Sequence, residues 1–297
     1  MRIAVTGCHG QVASSLIHRA NRFGIEVIPL SRPNIDLACP ETILAPLSVL
    51  DVNLVVNAAA FTGVDLAESQ SELAFAINHR GAQAVAAAAA TLRIPIIHLS
   101  TDYVFDGALD RPYAEGDAVN PINVYGHSKL AGERAVAATH ADHVILRTAW
   151  VYSPFGKNFV RTMLSLANHR SNVSVVADQF GAPTNAMDIA DAIFAMGRQL
   201  LERPYAPELR GVFHMTGGGE ATWADFAQGI FEELERARGS VVRVVRITTS
   251  EYPTPAKRPA NSRLECTKLA ATYGLRLAAW QQSLQPCVRQ ILEETQG

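Results

Sequence analysis

The first half of the chain alternates short apolar runs with longer stretches of helical period. Runs at Arg2–Thr6, Glu26–Leu30, Leu54–Ala59, Ile94–Ser100 and His143–Arg147 are apolar throughout, without a polar residue at every second position. Strands buried on both faces of a parallel sheet have that character. Helices are expected from the first glycine turn to about Phe23, from about Leu73 to Leu92, and from about Asn123 to His140. Strand–helix–strand repeats of this kind predict a doubly wound α/β sheet with right-handed crossovers. Val173–Ala177 reads as a sixth strand.

After about Leu200 the pattern changes. Pro204 and Pro207 punctuate, Val212–Met215 is a short β-like run, and Thr222–Ala237 is helical. Val241–Ile247 is β-like, and Trp280–Glu294 is a final helix. Pro253, Pro255 and Pro259 predict a stiff, extended loop. The expected division is an α/β domain over residues 1–150, with 173–201 returning to it, and a smaller lobe from 151–172 and 202–297.

Composition narrows the partners. A net charge of −2 with no long basic run argues against nucleic acid. The four cysteines form no C-x-x-C and the nine histidines no H-E-x-x-H, so no metal site is expected. No segment reaches the ~18 apolar residues of a membrane span. The chain opens directly on a strand pattern rather than a signal peptide, so a cytoplasmic protein is expected.

The first strand leads through Gly7-Cys8-His9-Gly10-Gln11-Val12-Ala13 into the first helix, a G-x-x-G-x-x-A spacing. Gly7 permits a tight turn, and Gly10 permits close approach of a pyrophosphate. Ala13 lets the helix lie close to the sheet, and the helix N-terminus offers free N–H groups to the phosphates. This predicts a Rossmann-type sheet with a smaller C-terminal substrate-binding lobe. An acid at the end of the second strand would hold the ribose of NAD. Here the strand ends Leu30-Ser31-Arg32. A guanidinium suits the 2′-phosphate of NADP, so NADPH is expected, with NADH as the alternative. The plainer reading of Arg32 is a solvated loop charge.

Tyr125 and Lys129 stand at i and i+4, on one face of the third expected helix. An ammonium fixed nearby would lower the tyrosine pKa, letting it act as an acid toward a carbonyl oxygen. A lone Y-x-x-x-K is common by chance. The fourth strand, however, ends Ser100-Thr101-Asp102, which places a hydroxyl where open α/β sheets bind ligands. Thr101, Tyr125 and Lys129 are therefore the expected catalytic set.

With these motifs the chain resembles the extended short-chain dehydrogenase/reductases, and more closely their dTDP-4-dehydrorhamnose reductase family. The similar stretches are Asn57–Ala60, Thr62–Ser69, Ser100–Phe105, Asn123–Glu133, Arg147–Tyr152, Asp178–Thr184 and Tyr252–Leu264. The resemblance implies hydride transfer from NAD(P)H to C4 of dTDP-4-dehydro-β-L-rhamnose, giving dTDP-L-rhamnose. Tyr125 would be the acid, Lys129 its electrostatic partner and a ribose ligand, and Thr101 the carbonyl orienter. The cofactor would meet Gly7, Gly10, Gln11 and Val12, then Arg32, Asp36 and Leu37, then Asn57, Ala58, Ala59 and Ala60. Val64, Asp102, Tyr103 and Trp150 would approach the sugar, with a core role for Trp150 as the alternative. Lys257, Arg258, Asn261 and Ser262 would meet the dTDP moiety, unless that segment is simply a basic surface loop. Some members of the family hold a metal between subunits through glutamates. The matching positions here are Ser15 and Met187, which implies a monomer or a metal-free homodimer. Two other functions fit the same residues: reduction of another dTDP-4-dehydro-6-deoxysugar, and a non-catalytic NADP-binding regulatory subunit like that of methionine adenosyltransferase.

Overall fold

A computed structural model of the protein describes residues 1–204 and 206–294. Tyr205 and residues 295–297 of the expected second lobe lie outside the described residues. In chain order the main elements begin with β1 (Arg2–Thr6), α1 (Gln11–Arg19), β2 (Glu26–Leu30), β3 (Leu54–Asn57) and α2 (Val64–Ser69). A continuous helix α3 follows, made of Ser71–Phe75, a π-helical stretch Ala76–Gly81 and Ala82–Leu92. Then come β4 (Ile96–Thr101), α4 (Val124–Thr139), β5 (His143–Thr148), α5 (Phe159–Ala167), β6 (Asn172–Val176) and α6 (Ala186–Glu202). The chain finishes with β7 (Gly211–His214), α7 (Trp223–Arg238), β8 (Arg243–Ile247), α8 (Thr267–Tyr273) and α9 (Trp280–Glu294).

Six parallel strands form the central sheet in the order β7-β5-β4-β3-β1-β2. β1 pairs with β2 on one side and β3 on the other, so strand order reverses there and a crevice opens at their carboxyl ends. One face is covered by α1 and α6, with Leu16, Ile189 and Ile193 packed on Ile3, Val5 and Val56. The other is covered by α3 and α4, where Val85, Ala86, Ala89 and Val136 pack on Ala4, Val55 and Ile145. The alanine-rich run of α3 lets these helices approach closely. A Cβ on Gly132 of α4 would lie 2.1 Å from the Asn78 carbonyl oxygen, in the π-helical stretch.

A second core joins α5, α7 and α9 through Val160, Phe226, Ile230, Phe231, Trp280, Leu284 and Ile291. Here the structure departs from the expected sixth strand. β6 does not return to the central sheet; it pairs in parallel with β8, Val173 opposite Val244 and Val175 opposite Arg246. The reason is visible in its pattern. Asn172 and Ser174 are exposed while Val173 and Val175 are buried, the alternation of a ribbon with one wet face. The sixth strand of the sheet is instead β7, with Val212 opposite Ile145. Phe213 of β7 and Leu269 and Tyr273 of α8 thus join the first core, although their residues were expected in the second lobe.

Candidate active site

At the end of β1, Gly7 takes φ +89° and its N–H donates to Leu30 O at 2.7 Å. A side chain is strained in that region, and a Cβ there would also meet Ala59 Cβ at 3.4 Å. Gly10 caps α1 in an ordinary extended conformation, with nothing within 4 Å of the position a Cβ would take. The space above it is open, and the first turn of α1 holds no acid to repel an anion.

Thr6 Oγ1 donates to Asn57 Oδ1 at 2.7 Å and accepts the Ala59 N–H at 3.0 Å, tying the ends of β1 and β3. Asn57 Nδ2 contacts His98 Nδ1 at 2.9 Å. Asn57 is 1% exposed and does not line the cleft, so it supports the floor on which Ala58, Ala59 and Ala60 form the surface. Asn78 clamps the next turn, accepting from Phe61 N at 2.8 Å and donating to Phe61 O at 3.0 Å.

A cleft of about 1050 Å³ follows these strand ends in sheet order. Arg32, Asp36 and Leu37 lie after β2, and Gly7, Gly10, Gln11 and Val12 after β1. Ala58–Ala60 and Val64 follow β3, Thr101, Asp102 and Tyr103 the end of β4, and Trp150 β5, with Tyr125 and Lys129 entering from α4. The expected cofactor residues other than Asn57 are thus brought together, alongside the catalytic set and the expected sugar contacts.

The first turn of α4 is fixed by two acceptors. Asn123 Oδ1 takes the Gly126 N–H at 2.8 Å, and Glu68 Oε1 of α2 takes the Val124 N–H at 2.9 Å. Gly126 is a steric requirement, because a Cβ would lie 2.1 Å from Tyr103 O. That contact sets α4 against the end of β4 and brings Tyr125 near Thr101, whose hydroxyl lowers the Tyr125 pKa. Thr101 Oγ1 donates in turn to Asp102 Oδ1 at 2.9 Å.

Lys129 is buried, and its Nζ donates to Leu99 O at 2.6 Å. Burial lowers its pKa to about 8, partly opposed by Glu133 one turn along. The expectation that Lys129 pulls down the Tyr125 pKa is not met. Enclosure by protein raises the Tyr125 pKa, the Thr101 hydroxyl opposes the rise, and Asp102 adds to it. The ammonium is directed at a backbone carbonyl instead. Tyr125 is therefore held protonated at neutral pH, the form that a proton donor to a ketone must start from. Because Lys129 is charged below about pH 8 and loses its proton above it, kcat/KM is expected to fall with a limb near pH 8. A pH–rate profile flat through pH 9 would contradict a role for the ammonium.

Burial raises the Asp102 pKa to about 6, opposed by the nearby Ser262 and Thr101 hydroxyls. Asp102 Oδ2, Ser100 Oγ and Thr148 Oγ1 are buried with no partner among the described residues, and all three residues line the cleft. Unpaired buried oxygens are costly, and a polar ligand here would satisfy them. A nicotinamide dinucleotide and a keto-sugar fit this donor set and the open space over Gly10.

Trp150 takes φ +49° and stacks on Trp223 at 3.7 Å and 11°. Gly181 makes room for it, since a Cβ there would reach Trp150 Cε2 at 2.4 Å. Both indoles line the cleft. Trp223 was not singled out from sequence, because a Trp opening an amphipathic helix reads as core.

The Pro-rich loop is tied to α2 and to the start of α4. Arg258 forks onto Asp65 of α2 at 2.7 and 3.0 Å, Ala256 N donates to Asp65 Oδ1, and Asn123 Nδ2 donates to Lys257 O. Lys257 is exposed, and Ser262 reaches Asp102. Asn261 is occupied elsewhere. Its Nδ2 donates to Leu109 O and Arg111 O, and its Oδ1 accepts from Arg263. None of these four loop residues lines the cleft itself. The structural roles of Asp65 and Glu68 were missed from sequence, although both lie in the quoted stretch Thr62–Ser69.

Comparison with known proteins agrees with this geometry. The family model for the RmlD substrate binding domain matches residues 1–293. A dTDP-4-dehydrorhamnose reductase of Sinorhizobium fredii is 50% identical over 294 residues, 99% of each chain. The crystal structure of a dTDP-4-dehydrorhamnose reductase from Clostridium acetobutylicum superposes with TM-score 0.90 at 36% identity, covering 98% of this chain and 100% of that one. That of the Bacillus anthracis reductase in complex with NADP gives TM-score 0.89 at 31% identity, covering 97% and 99%.

Proposed function

From the premise that the chain belongs to the RmlD substrate binding domain family, we propose that it is an NADPH-dependent reductase of dTDP-4-dehydro-β-L-rhamnose, giving dTDP-L-rhamnose. The observation that carries this reading is the Thr101–Tyr125–Lys129 set, facing a cleft whose Ser100, Asp102 and Thr148 oxygens are unpartnered.

When bound, NADPH supplies the hydride. The glycine loop and the N-terminus of α1 would hold its phosphates and Arg32 its 2′-phosphate, with Ala58–Ala60, Asp36 and Leu37 beside it. Lys129 offers its ammonium to the ribose. Thr101 orients the C4 carbonyl, and Tyr125 donates its phenolic proton to the oxygen as the alcohol forms. Val64, Tyr103 and the Trp150–Trp223 pair present apolar faces to a 6-deoxysugar. Asp102 offers its free oxygen to a sugar hydroxyl, and the Thr101 hydroxyl holds its other oxygen, with Ser262 nearby. Lys257 and Arg258 bring positive charge to the dTDP side. Asn261 shapes the loop that carries them.

The reading extends to a cytoplasmic monomer or metal-free homodimer. Ser15 is fully buried and donates to Gln11 O, out of reach of a metal shared with a partner. Sedimentation with and without a chelator checks this, and a chelator-induced change in mass would contradict it.

Arg32→Ala is expected to weaken NADPH about tenfold while changing NADH little, because only NADPH carries the 2′-phosphate. Equal losses for the two cofactors would remove Arg32 from that role. The function itself is tested by following NADPH absorbance with dTDP-4-dehydro-L-rhamnose generated in situ. Oxidation that depends on the sugar nucleotide is expected; cofactor binding without turnover would contradict it.

A further inference from the structure

Three Lys or Arg side chains line the cleft: Arg32, Lys129 and Lys157. Arg32 follows β2, at the far end of the sheet from the reacting groups. Lys129 is buried at β4 on a backbone carbonyl. Arg32 flanks the glycine loop on its β2 side, where Cys8 Sγ meets Ser31 Oγ at 3.1 Å, and Lys129 is turned to β4. Neither stands at the His9–Gln11 end of the loop, where the diphosphate of a dinucleotide would bring two negative charges to neutral N–H groups.

Lys157 does lie there. A Cβ on its neighbour Gly156 would be 3.5 Å from His9 O and 3.8 Å from Gln11 Cγ, so this segment runs against the glycine loop. Gln11 staples the two together, donating to Val151 O at 3.0 Å and accepting from Ser153 Oγ at 3.0 Å.

The loop that carries Lys157 is extensively bonded. Asn158 Nδ2 donates to Ser153 O at 2.8 Å and Phe155 O at 3.2 Å, and Arg161 Nε donates to Pro154 O at 2.7 Å. Ser153 Oγ accepts the Phe155 N–H, and the Phe155 ring packs on His18 of α1 at 5.5 Å. Gly156 completes the turn at φ +65°. The side chain held out by this frame is exposed, and none of the salt bridges among the described residues involves it. A bonded loop that presents an exposed ammonium at the cleft that Gly10 also lines can receive an anion there, and lysine suits a phosphate as a compact point charge.

We propose that Lys157 binds the diphosphate of the nicotinamide cofactor beside the His9–Gln11 end of the glycine loop. The assignment rests on the NADPH reading above. It makes the segment entering α5, and so the second core, a part of the cofactor site. Binding of the cofactor then adds a link between the two lobes to the one that Gln11 already makes.

The test is equilibrium binding of NADPH, NADH and dTDP, each as a separate probe, to the full-length wild type and to Lys157→Ala and Lys157→Arg. The Ala variant is expected to weaken NADPH and NADH by the same factor, about tenfold, because both carry the diphosphate. Its NADPH affinity should also depend less on salt than that of the wild type. The Arg variant is expected to keep most of the affinity, and dTDP binding should be unchanged. Unchanged cofactor affinity in the Ala variant, or a loss confined to dTDP, would overturn the proposal. A wild type that fails to bind NADPH would instead overturn the functional reading beneath it.

Discussion

Tyr125→Phe is expected to lower kcat by about a thousandfold, within the range for loss of a general acid. The Kd for NADPH should stay within a factor of about two. Only the hydroxyl is removed, and the ring keeps its edge contact with Tyr103 at 5.8 Å and 76°. Thr101 and Asp102 keep their hydrogen bond, so the end of β4 keeps its geometry. Transfer of hydride to the ketone would then leave an alkoxide with no adjacent acid. Steady-state kinetics together with cofactor titration separate the two effects. Normal turnover by the variant would remove Tyr125 from the acid role, and lost NADPH binding would make its role structural.

Arg147→Met is expected to cost about 3–5 kcal/mol, because it leaves Glu133 buried without its partner. The pair joins α4 to β5 through bonds of 2.9 and 2.7 Å, with the two side chains 5% and 4% exposed. The guanidinium also lies 5.1 Å over the Phe105 ring. For a chain of this size the loss corresponds to a fall in Tm of about 5–8 °C. The double variant Glu133→Leu/Arg147→Met should recover most of it, since removing both charges avoids the desolvated carboxylate. Thermal denaturation of the two single variants and the double variant checks the cycle. Additive losses would show that the pair is not coupled. Glu133 also opposes the burial-driven drop in the Lys129 pKa, so its loss should move the alkaline limb of activity to lower pH.

Much of the cofactor half was legible in the sequence, because its signals are local. β1, β2 and the final helix have the expected bounds, and Gly7 adopts the positive φ that its place in the turn implies. Tyr125 and Lys129 needed only helical spacing, and Thr101 only its place at a strand end. What escaped depends on contacts between distant segments. The run at 173–177 could be read as a strand, but its partner 243–247 could not be inferred from an apolar pattern. The π-helical stretch in α3 carries no composition signal of its own; it lies where Gly132 lets α4 approach Asn78. Asn57 and Asn261 stand in the right stretches, yet they spend their polar atoms on His98 and on the 109–111 backbone. Sequence similarity marks such residues without telling ligand contact from scaffold. Trp223 shows the opposite error, a cleft residue that reads as core until its stacking on Trp150 is seen.

The most direct test of the central claim is to supply NADPH carrying deuterium at the transferable position of the nicotinamide, together with dTDP-4-dehydro-L-rhamnose, and to locate the label in the product by NMR. One deuterium at C4 of dTDP-L-rhamnose is the predicted result. A product unlabelled at C4, or cofactor that remains reduced in the presence of the sugar nucleotide, would contradict it.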